Sequence, residues 1–229
     1  MTSLPRHPPQ AVLFDAYGTL FDVYSVGALA QALFPGFGER LSLLWRDKQI
    51  EYSRVRSMSS RYRPFWEVTR DALRFACARL GLSLDAPSEE RLMGQYLRLD
   101  AFAENRDVLA ALAQRKVRAG ILSNGDSDML AAVVAHAGFG AWLDPVLSVQ
   151  AIRRFKTDPA TYALGTAALG LDAADVLFVS SNGWDAIGAT WFGYTTLWVN
   201  RAGLPLEQLG TEPTRTGSSL RDVLHFFPA

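Results

Sequence analysis

The stretch Val12-Leu13-Phe14-Asp15-Ala16-Tyr17-Gly18-Thr19-Leu20 decides the fold. An apolar run ends in the carboxylate of Asp15, and a turn at Gly18 follows almost at once. This pattern predicts a buried strand that presents Asp15 at its carboxyl end. Open α/β sheets bind their ligands at that edge, so Asp15 is the first candidate for a functional residue.

Five apolar, β-rich runs are spread along the chain. They are Ala11–Phe14, Arg118–Leu122, Pro145–Val149, Val176–Val179 and Thr195–Val199. Stretches with helical spacing, such as Ser127–Ala137 and Pro159–Leu169, separate several of them. Strands that alternate with helices of this length predict an α/β fold with a Rossmann-like parallel sheet covered on both faces.

The residues between Phe14 and Arg118 interrupt this alternation, because they contain no convincing strand. Four runs there have apolar residues at helical spacing: Val23–Leu33, Glu39–Met58, Pro64–Leu80 and Ser88–Arg98. We expect an all-helical cap, inserted after strand one, that closes a small pocket and excludes water. The predicted domains are a core of residues 1–20 and 99–229 and a cap of residues 21–98.

The composition favours neither nucleic acid nor a membrane as a partner. The chain has 229 residues, of which 49% are hydrophobic, and Lys plus Arg and Asp plus Glu both number 23. These values are ordinary for a globular protein, and no basic block favours nucleic acid. No apolar run approaches the length that spans a bilayer, so we expect no membrane partner.

The cysteine and the amino-terminal segment bear on location. Cys77 is the one cysteine of the chain, lies in a helical pattern, and is best interpreted as a small buried side chain in a reducing compartment. Met1 to Gln10 form a polar lead-in with three prolines and without the apolar region of a secretory signal. We therefore predict a cytoplasmic protein.

Four polar clusters each follow an apolar strand or begin a helix. They are Asp15 with Thr19, Ser123-Asn124-Gly125, Lys156-Thr157-Asp158-Pro159, and Ser180-Ser181-Asn182-Gly183-Trp184-Asp185. Alone, each has an ordinary alternative as a turn, a helix cap or a solvated charge. Because parallel strands end at one edge of a sheet, we expect the four clusters to converge.

Together the clusters resemble the four motifs of the haloacid dehalogenase superfamily, over nearly the whole chain. Most of its members are magnesium phosphatases with a second Asp two residues after the nucleophile and a Gly-Asp pair in the fourth motif. This chain has Tyr17 and Ser180-Ser181 at those places. It is thus similar to the type II L-2-haloacid dehalogenases, which use no metal and no cofactor, and the stretches 45–52 and 180–185 look like signature segments of that group.

The resemblance implies a reaction on a small 2-haloalkanoate, including haloacetates. Asp15 would attack C2 and displace halide, and water would then hydrolyse the ester, so that a short-chain (S)-2-haloacid gives an (R)-2-hydroxyacid. The bulk of the pocket residues favours chains of about two or three carbons. Relatives are often homodimers with cap helices at the interface, which predicts a homodimer here.

The resemblance also implies roles for individual residues. Thr19 would orient Asp15, Lys156 would keep it ionised, Arg46 would stabilise the departing halide, and Ser123 would bind the substrate carboxylate. The catalytic set is Asp15, Thr19, Arg46, Ser123, Lys156, Tyr162, Ser180, Asn182 and Asp185. The substrate-binding set is Ala16, Tyr17, Arg46, Asp47, Ile50, Phe65, Ser123, Asn124 and Trp184.

At two positions this chain departs from the pattern expected of its relatives. Asp47 puts an acid beside Arg46, and Arg54 stands where relatives often carry a bulky apolar residue. Both could tune substrate preference or face solvent, and a solvent-exposed side chain is the better interpretation of Arg54.

Two rival functions stay open. They are a magnesium-dependent small-molecule phosphatase of the same superfamily and a non-catalytic binding protein on this fold.

Overall fold

A computed structural model describes residues 7–228, and in that part of the chain six strands form one parallel sheet. The strands are β1 Ala11–Phe14, β2 Arg118–Ser123, β3 Val146–Ser148, β4 Val176–Ser180, β5 Thr195–Val199 and β6 Arg215–Gly217. Their order is β3-β2-β1-β4-β5-β6. The chain leaves β1 for β2 on one side and returns to β4 on the other, which creates a crevice at the carboxyl ends of the central strands.

Pairing register brings the ends of the central strands together. Phe14 of β1 lies beside Ile121 of β2 and Val179 of β4. Asp15 therefore follows β1 at the level where the polar ends of β2 and β4, Ser123 and Ser180, also lie. All four residues of β1 are buried, as are those of β4 and β5, because helices cover both faces of the sheet.

Eight α-helices occur within residues 7–228. They are α1 Gly27–Leu33, α2 Gly38–Met58, α3 Phe65–Arg79, α4 Ala86–Gln95, α5 Asn105–Gln114, α6 Ser127–Ala137, α7 Pro159–Leu169 and α8 Gly183–Phe192. The first four lie between β1 and β2 and form the all-helical cap, with α2 packed along α3. The predicted fold class is confirmed, whereas the domain boundaries at residues 20 and 98 stay a prediction.

Most predicted elements agree with the structure within a few residues, and two helices differ more. The first cap helix begins at Gly27 rather than Val23. The helix predicted at 88–98 runs over Ala86–Gln95, because the Asp85 carboxylate caps it by accepting a hydrogen bond from the Ser88 N–H at 2.9 Å. The strand predicted to end at Val149 ends at Ser148, whose hydroxyl starts a 3₁₀ turn by accepting from the Gln150 N–H at 3.1 Å.

The carboxyl-terminal segment contains a strand that the sequence did not predict. β6, at Arg215–Gly217, adds three mostly exposed residues to the edge of the sheet beside β5, so it lacks an apolar pattern. A 3₁₀ helix at Leu220–Phe226 then returns Val223 and Phe226 to the core. Most of the predicted polar lead-in, residues 1–6, lies outside the described residues. Within residues 7–228 no helix is long and apolar enough to cross a membrane.

Candidate active site

Asp15 stands directly after β1 with both carboxylate oxygens held by side chains. Oδ2 accepts hydrogen bonds from the Thr19 hydroxyl and from Nδ2 of Asn182, each at 2.9 Å. Oδ1 accepts from Nζ of Lys156 at 3.1 Å. Only 6% of the residue is exposed. A buried carboxylate held at both oxygens keeps one orientation, which is what a nucleophile aimed at a small substrate needs.

Lys156 lies between two carboxylates in the interior. Its Nζ donates to Asp15 at 3.1 Å and to Oδ2 of Asp185 at 3.0 Å, and the side chain is buried. Burial opposes its charge, but the charges of Asp15 and Asp185 outweigh burial and raise the pKa of Lys156 above its ordinary value. The ammonium therefore stays charged at neutral pH and fills the space between the carboxylates.

Asp185 belongs to the same buried hydrogen-bond network as Asp15. It lies in the first turn of α8, fully buried, and its Oδ1 accepts from the Tyr162 hydroxyl at 2.8 Å. Burial and the neighbouring Asp15 charge raise the pKa of Asp185, although Lys156 opposes that shift. The single positive charge of Lys156 cannot fully neutralise both Asp15 and Asp185. Asp185, whose pKa is raised, is therefore a suitable proton acceptor.

The loop after β4 holds Asp15 from the side. The Thr19 hydroxyl, which donates to Asp15, accepts from the Ser181 N–H at 2.8 Å. The Ser180 hydroxyl accepts from the Asn182 N–H at 3.1 Å and so shapes the turn that presents Asn182 to Asp15. Arg201 ties this loop to the β1 loop by donating to the Ser181 hydroxyl at 2.7 Å and to the Thr19 carbonyl at 3.2 Å.

Arg46 reaches the site from α2 of the cap and is only 6% exposed. Its Nη2 donates to the Tyr17 carbonyl at 2.9 Å and to Oδ1 of Asn182 at 3.3 Å. Its Nη1 donates to Oε1 of Gln49 at 2.7 Å, and Nε2 of Gln49 donates to the Thr69 hydroxyl at 2.7 Å. Arg46 is thus a buried cation with a fixed direction rather than a solvated side chain.

These groups enclose a cavity of about 20 Å³, room for about one water molecule. Its lining is polar on one side and apolar on the other. The polar lining residues are Asp15, Arg46, Ser53, Ser123, Asn124 and Asn182. The apolar and aromatic ones are Tyr17, Ile50, Phe65 and Trp184. The chemistry of this lining suits a small anion with a short apolar body.

Tyr17 forms the floor of the apolar side. Its ring lies 5.8 Å from that of Phe65, and burial raises the pKa of its phenol above the ordinary value. Its buried hydroxyl has no hydrogen-bond partner among the described residues. Gly125 is required beside it, because a Cβ there would lie 2.6 Å from Cε2 of the ring.

This chain is similar to known proteins over most of its length. The profile of the haloacid dehalogenase-like hydrolases matches residues 9–193. The (S)-2-haloacid dehalogenase of Pseudomonas sp. strain YL is 47% identical, over 95% of this chain and 94% of that protein. The chain belongs to the haloacid dehalogenase-like hydrolases. The predicted resemblance is therefore confirmed.

Other relatives narrow the placement within these hydrolases. The haloacetate dehalogenase H-2 of Moraxella sp. strain B is 41% identical over 94% of this chain and 96% of that protein. A crystal structure of an L-2-haloacid dehalogenase superimposes with a TM-score of 0.94 at 55% identity, covering 96% of this chain and 99% of its own. That of Xanthobacter autotrophicus with covalently bound chloropropionic acid gives 0.89 at 39% identity, covering 95% and 97%. The chain is a haloacid dehalogenase-like hydrolase, and these similar proteins are named as haloacid and haloacetate dehalogenases.

Two predicted substrate-binding residues, Ala16 and Asp47, do not line the cavity. Asp47 is exposed and lines an outer groove, together with Arg54 and Glu207. Successive helical residues point about 100° apart, so Asp47 on α2 faces away from the site that Arg46 enters. The structure thus places Asp47 outside the cavity, and its part in substrate binding stays a prediction. Arg54 lies at the surface as expected, with its guanidinium 4.6 Å from the Trp184 ring.

Other predicted site residues support the site without lining the cavity. They are Ala16, Thr19, Lys156, Tyr162, Ser180 and Asp185, all fully or nearly fully buried. Ala16 contributes through its carbonyl, which accepts from the Leu20 N–H at 2.9 Å and closes the turn after Asp15. These residues therefore hold the groups that face the substrate.

Two residues in the cap were missed from the sequence. Ser53 lines the cavity and Gln49 holds Arg46 in place. Both share one face of α2 with Arg46 and Ile50, at spacings of three, four and seven residues. That helical spacing was the available signal, and it would have found both residues once Arg46 was assigned.

Proposed function

We propose that Asp15 is the nucleophile of a halide-releasing reaction on short 2-haloalkanoates. One observation carries the proposal: Asp15 lies in an enclosed cavity, held by Lys156 on one oxygen and by Thr19 and Asn182 on the other, below the buried Arg46. The named relatives act on (S)-2-haloacids and haloacetate, which supports the substrate class.

The first step is a substitution at a saturated carbon. An Asp15 oxygen forms a bond to C2 from behind the halogen, and the halogen leaves with the bonding electrons as halide. Chloride and bromide need no proton to depart, so Tyr17 in place of an acid costs nothing. The product is an ester between C2 and Asp15, and the covalently bound chloropropionic acid in the Xanthobacter relative supports such a species.

Arg46 is proposed to stabilise the departing halide. Its guanidinium is buried, charged and held by Gln49, Tyr17 and Asn182 at the cavity wall. Fixed N–H donors in a water-poor site stabilise developing negative charge more strongly than water does, because they need no reorientation during the reaction.

Hydrolysis of the ester restores the enzyme. Water adds to the carboxyl carbon of Asp15 and loses one proton. The bond from that carbon to the substrate oxygen then breaks, and the other proton of the water passes to the leaving oxygen. The substrate thus leaves as the 2-hydroxyacid, inverted once at C2. Asp185 is the proposed proton acceptor, because its pKa is raised and it is connected to Asp15 through Lys156.

Substrate orientation is proposed to depend on the two sides of the cavity. Ser123, Asn124 and the neighbouring backbone would bind the carboxylate, while Phe65 and Trp184 would contact the carbon chain. Because the free volume is small, we expect rates to fall for chains longer than butanoate. A rate that rises with longer chains would contradict this assignment.

The test is halide release from chloroacetate and both enantiomers of 2-chloropropionate, in excess EDTA. We expect release from the (S) enantiomer by the wild type, and a loss of about 10⁴-fold or more in Asp15→Asn. Asp100→Asn, an exposed carboxyl, is the matched control and should keep full activity. Phosphate release from an aryl phosphate only when Mg²⁺ is added would favour the phosphatase instead.

Single turnover in ¹⁸O water separates catalysis from binding. The mechanism places solvent oxygen in the Asp15 carboxylate, and mass spectrometry of the peptide that contains Asp15 should show a gain of two mass units. Labelled hydroxyacid with an unlabelled Asp15 would mean direct attack of water on C2 and would refute the ester. Binding without any turnover would identify the non-catalytic rival.

We further propose that the protein is a cytoplasmic homodimer whose subunits contact each other through the cap, residues 21–98. The free, buried Cys77 supports a reducing compartment, and the exposed apolar residues Leu43, Val55 and Met58 of α2 support contact between caps. Light scattering should give twice the chain mass, and Val55→Glu should lower it. A wild-type mass of one chain would contradict the dimer.

A further inference from the structure

Asp126 makes a contact between core and cap that the proposed mechanism does not use. It follows Ser123 and Asn124 in the loop after β2 and is 6% exposed. Its Oδ1 accepts from the Phe65 N–H at 2.9 Å and its Oδ2 from the Trp66 N–H at 2.8 Å. Both donors lie in the first turn of α3 in the cap.

The position of Asp126 in its own helix makes this contact informative. It is the N-cap residue of α6, where an Asp usually accepts from the first turn of the helix that it precedes. Here its side chain makes no such bond. Instead, Oε1 of Gln150 accepts from the Ser127 N–H at 3.1 Å, which frees Asp126 to reach the cap.

Helix α3 needs an acceptor at this end. The first N–H groups of a helix have no partner within it, and the residue before α3 is Pro64, whose side chain offers no oxygen. A carboxylate there also meets the positive end of the helix dipole. The cap helix is therefore completed by a carboxylate of the core, some sixty residues further along the chain.

This contact is joined directly to the cavity. Phe65, whose N–H is held, is the first residue of α3 and lines the cavity against the Tyr17 ring. Ser123 and Asn124, three and two residues before Asp126, line the cavity from the core. One short loop thus carries groups that face the substrate and also fixes the cap residue opposite them.

We propose that Asp126 is a positioning residue that latches the first turn of α3 to the core and so sets the place of Phe65 over the bound haloacid. The expected change in KM rests on the proposed function, whereas the contact between Asp126 and α3 is a property of the fold. Without it, the closed cap is less populated and substrate binds more weakly, while the network that holds Asp15 is unchanged.

The experiment compares Asp126→Ala and Asp126→Asn with Asp128→Ala, an exposed acid in the first turn of the same helix. With (S)-2-chloropropionate, we expect Asp126→Ala to lower kcat/KM about tenfold, mainly through KM, because two charge-assisted hydrogen bonds are lost. Asp126→Asn keeps one oxygen acceptor and should recover part of the loss. Asp128→Ala should match the wild type.

Hydrogen exchange at the Phe65 and Trp66 amides provides a readout independent of catalysis. We expect faster exchange at these amides in Asp126→Ala, with the remainder of α3 protected. Normal KM and kcat in Asp126→Ala, or unchanged exchange at both amides, would overturn the latch. If the wild type released no halide, the proposed function would fail, while the exchange result would still decide whether the latch exists.

Discussion

The core and the cap approach the same cavity in different ways. On the core side, Asp15 is held by three side chains, and each partner lies in a loop that follows a strand or leads into a helix of the sheet layer. On the cap side, Arg46 is held by Gln49, which lies one helical turn away and is itself bonded to Thr69 of α3. The core fixes its group through the strand ends, and the cap fixes its group through helix packing.

This difference indicates a division of labour. The core contributes the charges that define the reaction, and they are in place because register aligns the ends of β1, β2 and β4. The cap contributes enclosure and the cation for the leaving group. Its contribution depends on how α2 and α3 dock onto the core, so its variants should lower activity less than variants of the core network.

The largest expected effect is at the centre of the core network. Lys156→Met leaves Asp15 and Asp185 as buried carboxylates without their shared cation, so we expect a loss of about 3–5 kcal/mol in the free energy of unfolding. One carboxylate should then take up a proton, and halide release should fall about 10³-fold or more. Urea titration and halide release measure both effects, with Lys48→Met of α2 as the control.

The pH dependence of stability should show the same ion pairs. The pKa of Lys156 is raised above 10.5 in the folded chain, so its stabilising contribution is fully present below that pH. It is lost as the pH rises through the higher pKa of the folded state. Urea titration from pH 8 to 10 should show no decline from this group, and a decline there that is absent in Lys156→Met would contradict the assignment.

A smaller effect is expected from the cap network. Gln49→Leu removes the acceptor of Arg46 Nη1 and leaves a buried cation partly unpaired, so we expect kcat to fall about tenfold. Glu51→Gln, an exposed change on the same helix, should be silent. Thr69→Val removes the hydroxyl that accepts from Gln49. If this change has no effect on kcat, the hydrogen bonds from Arg46 through Gln49 to Thr69 do not orient Arg46.

The smallest effect is expected at the rim between the two regions. Arg54 of the cap stacks over Trp184 of the core, next to a groove that shares Ile50 and Trp184 with the cavity. Arg54→Met should raise KM about twofold to fivefold and leave kcat unchanged. A larger change in kcat would mean that the rim takes part in the chemical step and that the two regions are less separate than described.

The sequence predicted the core side of the site well because its information is local. A strand that ends in Asp15 and a strand that ends in Ser123 can be recognised from hydrophobicity and turn residues alone. The cap side was predicted less well. Arg46 and Phe65 were assigned through the family resemblance, Asp47 lies at an outer groove rather than in the cavity, and Ser53 was missed.

By itself the sequence determined the parallel sheet, the helical insertion after β1, and the convergence of four polar clusters, because a parallel sheet brings all its strand ends to one edge. Only the tertiary structure decided which face of α2 points inward and that Asp126 caps α3 rather than its own helix. The spacing of residues on a helix fixes which side chains share a face. The rotation of that helix against the core depends on packing between residues far apart in the chain, which no local pattern records.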